Sequence, residues 1–346
     1  MHKQTPDSGE KRVLVTGAAG FIGFHLCRRL LADGWMVTGI DNLNEYYDIQ
    51  LKEARIELLM SQADFEFRRL DISDDAALSE LFTETRPPVV INLAAQAGVR
   101  FSIDHPSEYI QSNLVGFANI LEACRHISVQ HLLYASSSSV YGANKETPYR
   151  TTMNVDHPLS LYAATKKANE LMAHSYSHLY DIPVTGLRFF TVYGPWGRPD
   201  MAYYLFTKAI LNGEPIKVFN EGELYRDFTY IDDAVECVVR LIDCIPVGDA
   251  SWDGRDPDPS SSSARFQVYN IGNGNPVKLS EFIGVLEKEL GVEAVKEKLP
   301  MQPGDMEITY ADIGNLQSLI DYTPATPVEE GLTHFVAWYR EFHAVD

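Results

Sequence analysis

The sequence predicts an α/β protein, a doubly wound parallel sheet joined to a smaller C-terminal α/β substrate domain. Three observations carry that expectation. Short apolar, β-branched runs alternate with longer stretches of helical periodicity through the first 190 residues. Strands flanked by apolar-striped helices mean βαβ units and a parallel sheet buried on both faces. A glycine-rich turn also follows the first run and opens the first helix.

Taken in order, the first ten residues are polar and expected to fray. Strands are expected over 12–16, 36–41, 64–70, 89–93, 131–136 and 184–188, with helices near 21–33, 75–85, 107–126 and 162–180. After Arg188 the rhythm changes. Glycine, proline and aromatics crowd 189–200, and helix and short-strand patterns then mix less regularly. A helix near 231–243 is expected to return to the first domain, and 328–342 reads as an amphipathic helix. The stretch GDASWDGRDPDPSSSSA at 248–264 reads as a flexible surface insertion. The expected division is 11–190 with about 228–272 as a Rossmann-type dinucleotide-binding domain. The substrate domain is then 191–227 with about 273–342.

Composition narrows the function. At 346 residues, 45% hydrophobic and 22% charged, the chain has the makeup of a globular protein large enough for two domains. Its 29 basic and 48 acidic residues give a net charge of −19, which argues against nucleic acid and acidic membrane surfaces as partners. Arginines gathered at one site would still hold an anionic small molecule. The four cysteines, Cys27, Cys124, Cys237 and Cys244, form no CxxC pair and are expected to be buried thiols, with no metal site. No apolar run approaches the ~20 residues that span a bilayer, and the N-terminus lacks an apolar leader, so a cytoplasmic location is expected.

Thr16-Gly17-Ala-Ala-Gly20-Phe21-Ile22-Gly23 has the spacing of a dinucleotide turn. Glycine permits the tight turn, lets backbone approach a pyrophosphate, and allows close helix–strand packing. The helix N-terminus supplies free N–H groups and a positive dipole end. Asp41 ends the second strand about 20 residues on, where its carboxylate can bond a ribose 2′-hydroxyl and would repel a 2′-phosphate. Asn42 and Leu43 bring no compensating charge, so NAD is expected rather than NADP. Asp71 and Ile72 either close over an adenine or belong to a helix N-cap region before Asp74. Leu93, Ala94 and Ala95 offer small residues to line the cofactor groove.

Tyr162 and Lys166 stand at i and i+4, on one face of a helix. A neighbouring ammonium favours the phenolate of a tyrosine, giving an oxygen base usable near neutral pH. Together with the serine run at 136–139, these motifs resemble the extended short-chain dehydrogenase/reductases, specifically the nucleotide-sugar epimerases. The residues that carry the resemblance are TGAAGFIG at 16–23, Asp41, Asp71-Ile72, NLAAQAGVR at 92–100, SSSSVYG at 136–142, YAATK at 162–166 and RFFTVYGPWGRPDMA at 188–202. YRDFTYIDD at 225–233 and QPGDM at 302–306 complete the set, and the match covers nearly all of 12–340. Within that group PWGRPDMA makes it most similar to the UDP-glucuronate 4-epimerases.

The resemblance implies a tightly held NAD, regenerated each turnover, and a UDP-glucuronate/UDP-galacturonate pair interconverted by transient oxidation at C4. It assigns Tyr162 as base, Lys166 as its companion and Ser137 to the C4 oxygen. Ser138 and Ser139 stand where related dehydratases carry Asp-Glu and decarboxylases carry Glu at the second position. Hydroxyls there can grip a carboxylate without repelling it. Arg100, Arg198 and Arg226 are the expected anion-site residues. The resemblance puts Arg226 at the diphosphate, Asp305 on the uridine ribose, and Thr191 where the galactose 4-epimerases carry Asn. Gln302 departs from the arginine often found in that nucleotide loop. The resemblance also implies a homodimer pairing helices 107–126 and 162–180. The alternatives carried are a UDP-glucuronate decarboxylase, a neutral UDP-hexose 4-epimerase, and an NAD-binding regulator with a retired site.

Overall fold

The computed structural model describes residues 11–301 and 307–345. Its first half runs β1 (Arg12–Thr16), α1 (Phe21–Ala32), β2 (Met36–Asp41), α2 (Ile49–Met60), β3 (Phe65–Arg69), α3 (Asp75–Thr85) and β4 (Val89–Asn92). It continues α4 (Phe101–Asp104), α5 (Pro106–Tyr109), a π-helical turn (Ile110–Val115), α6 (Gly116–Ile127), β5 (His131–Ser137), α7 (Leu161–Tyr180) and β6 (Val184–Phe189). The second half holds β7 (Thr191–Tyr193), α8 (Ala202–Leu211), β8 (Ile216–Phe219), β9 (Tyr225–Tyr230), α9 (Ile231–Ile242) and β10 (Phe266–Ile271). It ends with β11 (Pro276–Lys278), α10 (Leu279–Leu290), β12 (Lys296–Leu299), β13 (Ile308–Thr309), α11 (Gly314–Ile320) and α12 (Val328–His343).

Seven parallel strands form the central sheet in the order β10-β6-β5-β4-β1-β2-β3. This is the expected Rossmann-type sheet, with apolar clusters packed on both faces. The strand order reverses between β1 and β4, and α/β sheets bind ligands in the crevice outside such a switch point. The seventh strand comes from the far half of the chain, where Phe266–Ile271 pairs along Val184–Phe189. Around it, β7, β11 and β13 gather on β9, and β8 pairs with β12.

Three expectations about elements need correction. Helix α2 was not anticipated: charged residues interrupt its apolar spacing, and Lys52 and Arg55 are buried along with Leu51, Ile56 and Leu59. The single helix expected over 107–126 is broken by the π-helical turn. That turn carries fully buried Asn113, which accepts from the Gln96 amide (2.8 Å) and donates to Thr165 Oγ1 (3.0 Å), tying the end of β4 to α7. The 248–264 insertion is irregular but pinned rather than loose. The Asp249 amide donates to Ser262 O, the Val268 amide donates to Ser260 O, and Ser260 and Ser262 are buried. Three of the cysteines are buried, as expected, and Cys244 is half-buried.

Candidate active site

At the switch point Gly17 adopts φ +72°, and a Cβ on it would sit 2.8 Å from the Ala94 amide nitrogen. The glycine turn and the Leu93–Ala94 backbone therefore face each other as closely as two chains can. Gly23 is equally constrained, since a side chain there would collide with the Gly17 carbonyl. Gly20 is the N-cap of α1, no side chain caps the helix and its first turn holds no acid. The amides of Phe21, Ile22 and Gly23 are thus left for an anion.

Asp41 closes the crevice on the β2 side, accepting from the Ala19 amide (3.1 Å) and the Leu43 amide (2.8 Å). Burial pushes its carboxyl above the usual range, opposed by those bonds and by the charges of Lys52 and Arg55. Asn42 donates to Asp71 (2.7 Å), so both predicted cofactor residues touch. Burial pushes Asp71 up, but the bonds from Asn42 and Ser73 hold it below the ordinary carboxylate range. Asp74 caps α3 through the Ala77 amide, as the capping reading expects, while Asp71 meets Asn42 and Ile72 is buried against Gly116. A dinucleotide fits what these residues present: uncapped amides for its diphosphate, a carboxylate with spare lone pairs for a ribose, and backbone too close for any larger residue.

Ser137 ends β5, and its hydroxyl accepts from the Ser139 amide (3.2 Å) and from Ser139 Oγ (3.0 Å). Tyr162 lies in the first turn of α7, which Ser160 caps through the Ala163 amide. Its hydroxyl lies close enough to Ser137 for the serine hydroxyl to favour the phenolate, and its ring meets Tyr109 edge-on at 6.1 Å. Lys166 is buried one turn later and donates to Ala135 O at 2.9 Å. Burial lowers its ammonium to a pKa of about 8.

Here the sequence reasoning needs correction. Burial raises the Tyr162 phenol above its usual value, and the forces opposing that rise are the Ser137 hydrogen bond and the charge of Arg198. Lys166 instead turns its ammonium to the Ala135 carbonyl, a neutral acceptor. Arg198, expected only as an anion-site residue, is the cation whose charge acts on the Tyr162 phenol. It lies in the loop after β7 and forms a two-pronged pair with Asp200.

The remaining predicted residues lie farther out. Ser138 starts the 3₁₀ turn after β5, while Thr191 opens β7 two residues beyond Phe189, the register partner of Ser137. Arg100 is exposed, its guanidinium 5.7 Å from the Phe219 ring of β8. Arg226 sits in β9 between Val277 and Thr309 and donates to Tyr225 O at 2.9 Å. Gln302 and Asp305 lie outside the described residues. No cluster of three or more metal-ligating side chains occurs among the described residues.

Sequence reasoning missed several residues that build the site. Lys52 bonds Asn44 O and Oδ1, both at 2.6 Å, and Arg55 bonds Ala19 O, Tyr47 Oη and the carbonyls of Trp196 and Gly197. Arg55 thereby ties the glycine turn to the loop of Arg198. Asp227, fully buried, accepts from the amides of Asn273, Gly274 and Ala311 beside Arg226. Under α7, Glu170 pairs with Arg188 at 2.8 and 2.9 Å and accepts from Ser136 at 2.7 Å. Only the last had a sequence signal, a glutamate one turn after Lys166.

Residues 13–251 match the NAD dependent epimerase/dehydratase family. The chain is 54% identical over 332 residues to Protein CapI of Staphylococcus aureus, covering 96% of this chain and 99% of that protein. It is 48% identical over 331 residues to a probable UDP-glucuronate 4-epimerase of Rhizobium meliloti, covering 95% and 97%. Among solved structures it is similar to UDP-glucuronic acid 4-epimerase from Bacillus cereus in complex with UDP-glucuronic acid and NAD. The TM-score is 0.84 at 34% identity, over 96% of this chain and 99% of that one.

Proposed function

This chain belongs to the NAD dependent epimerase/dehydratase family, and from that membership we propose that it interconverts UDP-glucuronate and UDP-galacturonate by inversion at C4. One observation carries the reading: Ser137 and Tyr162 meet at the crevice mouth, and the two positions after Ser137 are hydroxyls instead of acids. The hydrogen on a sugar C4 is not acidic, so inversion needs the carbon made flat and then rebuilt. Bound NAD supplies the means, accepting hydride from C4 and returning it.

Gly17, Gly20, Phe21, Ile22, Gly23, Asp41, Asn42, Asp71, Ile72, Leu93, Ala94 and Ala95 hold NAD in this reading. Lys52 joins them beside Asp41. Tyr162 Oη takes the proton of the C4 hydroxyl and gives it back, while Ser137 Oγ holds the same oxygen. Lys166 anchors the strand end beneath them and reaches the nicotinamide ribose. Arg198 offsets negative charge on the phenol and faces the sugar carboxylate, which lies two bonds from C4. Ser138, Ser139 and Thr191 donate hydroxyls to that carboxylate. A C4 ketone is β to the carboxyl and prone to lose CO2, so gripping the carboxylate with neutral donors guards against decarboxylation. Arg100, Arg226 and Asp305 take the UDP end.

The division into 11–190 with about 228–272, and 191–227 with about 273–342, belongs to the same reading. So does a cytoplasmic homodimer. Ile110 and Val115 of the π-helical turn, and Leu171 and Leu179 of α7, are exposed apolar residues on the two helices expected to pair. No helix among the described residues is long and apolar enough to cross a membrane. Incubation with UDP-glucuronate, followed by NMR, tests the function. UDP-galacturonate with its carboxyl retained supports it; CO2 and a UDP-pentose overturn it in favour of decarboxylation.

A further inference from the structure

The cations around the crevice divide sharply by partner. Lys52, Arg55 and Lys166 all bond to neutral acceptors, which leaves their charge available to a ligand. Arg198 is the exception. Its Nε reaches Asp200 Oδ1 at 3.0 Å and its Nη2 reaches Oδ2 at 2.8 Å. Two parallel bonds from a guanidinium are the geometry with which arginine recognises any carboxylate, including that of a uronic acid. Asp200 is held from the other side as well, because Tyr46 Oη, in the loop after β2, donates to its Oδ2 at 3.1 Å. Tyr46 in turn lies against Gly98 in the loop after β4, where any side chain would collide with its hydroxyl. The loops after β2 and β7 thus meet at this acid, and the loop after β4 packs behind Tyr46.

We propose that Asp200 is an internal stand-in for the substrate carboxylate, occupying Arg198 until the sugar's own carboxylate displaces it. This rests on the proposed reading of Arg198 as the cation facing the uronate. The exchange is charge-neutral at the guanidinium: one carboxylate leaves as another arrives, and the exposed Asp200 side chain returns to water. A hydroxymethyl group cannot make that exchange, since it offers neither charge nor two acceptors. Asp200 therefore competes with the uronate for Arg198: it lowers the affinity for a sugar that must displace it and leaves a sugar that does not use Arg198 unaffected. It also links sugar binding to the other two loops, because freeing Asp200 releases Tyr46.

The test measures dissociation constants of the NAD-loaded enzyme calorimetrically for UDP-glucuronate and UDP-glucose, in the wild type, Asp200→Asn and Tyr46→Phe. A half-exposed pair of this kind is worth up to about 1 kcal/mol, a factor of about five in affinity. Asp200→Asn is expected to bind UDP-glucuronate roughly two- to fivefold more tightly, with UDP-glucose unchanged, and Tyr46→Phe to shift the same way by less. Adding Arg198→Met to Asp200→Asn should abolish the gain. Weaker or unchanged uronate binding in Asp200→Asn would mean the acid merely holds Arg198 in place, and equal tightening of both sugars would mean simple obstruction; either overturns the proposal. Turnover of UDP-glucuronate by the wild type is followed separately by NMR. A wild type that binds but does not epimerise refutes the function and leaves the affinity pattern to decide on Asp200.

Discussion

Replacing Glu170 with alanine should damage this protein more than any single change at its surface. The carboxylate is buried and makes three strong bonds: to Arg188 Nε at 2.8 Å, to Arg188 Nη2 at 2.9 Å, and from Ser136 Oγ at 2.7 Å. Arg188 is wholly inaccessible, with its remaining bonds going to Tyr141 Oη (3.1 Å) and Thr151 O. Glu170 stays ionised because that guanidinium outweighs the burial that would otherwise raise its pKa. Removing it strands a buried cation with two neutral acceptors, at a cost of about 3–5 kcal/mol. That is a large part of the ~5–15 kcal/mol that holds a typical domain. Urea unfolding of the wild type, Glu170→Gln and Glu170→Ala measures it, with glutamine intermediate because it keeps shape and one acceptor. Ser136 adjoins Ser137, so any folded variant should lose kcat more than it gains KM. An alanine variant within 1 kcal/mol of wild type would refute the view that this pair fixes the floor of the site.

Tyr162→Phe removes the proton acceptor without touching the cofactor crevice, so kcat should fall by roughly 10²–10⁴-fold while NAD, read by its absorbance after denaturation, stays bound. His131 is fully buried between Ile242 O (3.0 Å) and Thr185 Oγ1 (2.8 Å), and burial lowers its pKa to about 4. The unfolded chain binds that proton near pH 6.5, so the stability is fully present above 6.5 and is lost as pH falls towards 4, about 3 kcal/mol in all. His131→Gln should flatten the urea midpoint over that window; an unchanged acid slope would contradict the assignment. Salt should help capture of substrate rather than hinder it. Moving from about 0.01 M to 0.15 M NaCl shortens the screening length from ~30 to ~8 Å, which mutes the repulsion from a chain of charge −19 more than close contacts to half-buried Arg198. A falling kcat/KM would place the capture on exposed cations instead.

The sheet was legible because its signals are local and redundant. Six runs of apolar residues, the glycine turn and Asp41 each point to the same crevice, and strand spacing puts them there without knowledge of packing. The Tyr162–Lys166 spacing is equally local, since one helical turn fixes it. What was illegible depends on distant parts meeting. Lys52 and Arg55 stand on a helix whose apolar stripe is diluted by these same two buried charges, so the periodicity that reveals other helices conceals this one. The π-helical turn leaves no periodic trace either, although Asn113 within it holds β4 to α7. Arg198 follows two residues of irregular backbone, and nothing nearby in sequence says that it will face Tyr162.

Charge sorting explains how an acidic chain can nevertheless host an anionic site. With 48 acids against 29 bases, an exposed arginine seldom lacks a carboxylate. Arg29 and Arg240 share Glu236, Arg68 lies between Glu66 and Glu84, Arg125 pairs with Glu122, and Arg150 pairs with Glu146. The crevice cations escape this neutralisation because they bond to carbonyls, an amide oxygen and a phenol, groups that orient a cation without cancelling it. Burial makes the arrangement costly, as the lowered Lys166 pKa records, and a cation in that condition is stabilised by whatever anion arrives. The global field is thus no guide to the ligand. What decides is which few cations the fold keeps from the surrounding acids: among the described residues Lys52, Arg55 and Lys166 bond to neutral groups, while Arg198 meets Asp200 at the position proposed above for the sugar carboxylate.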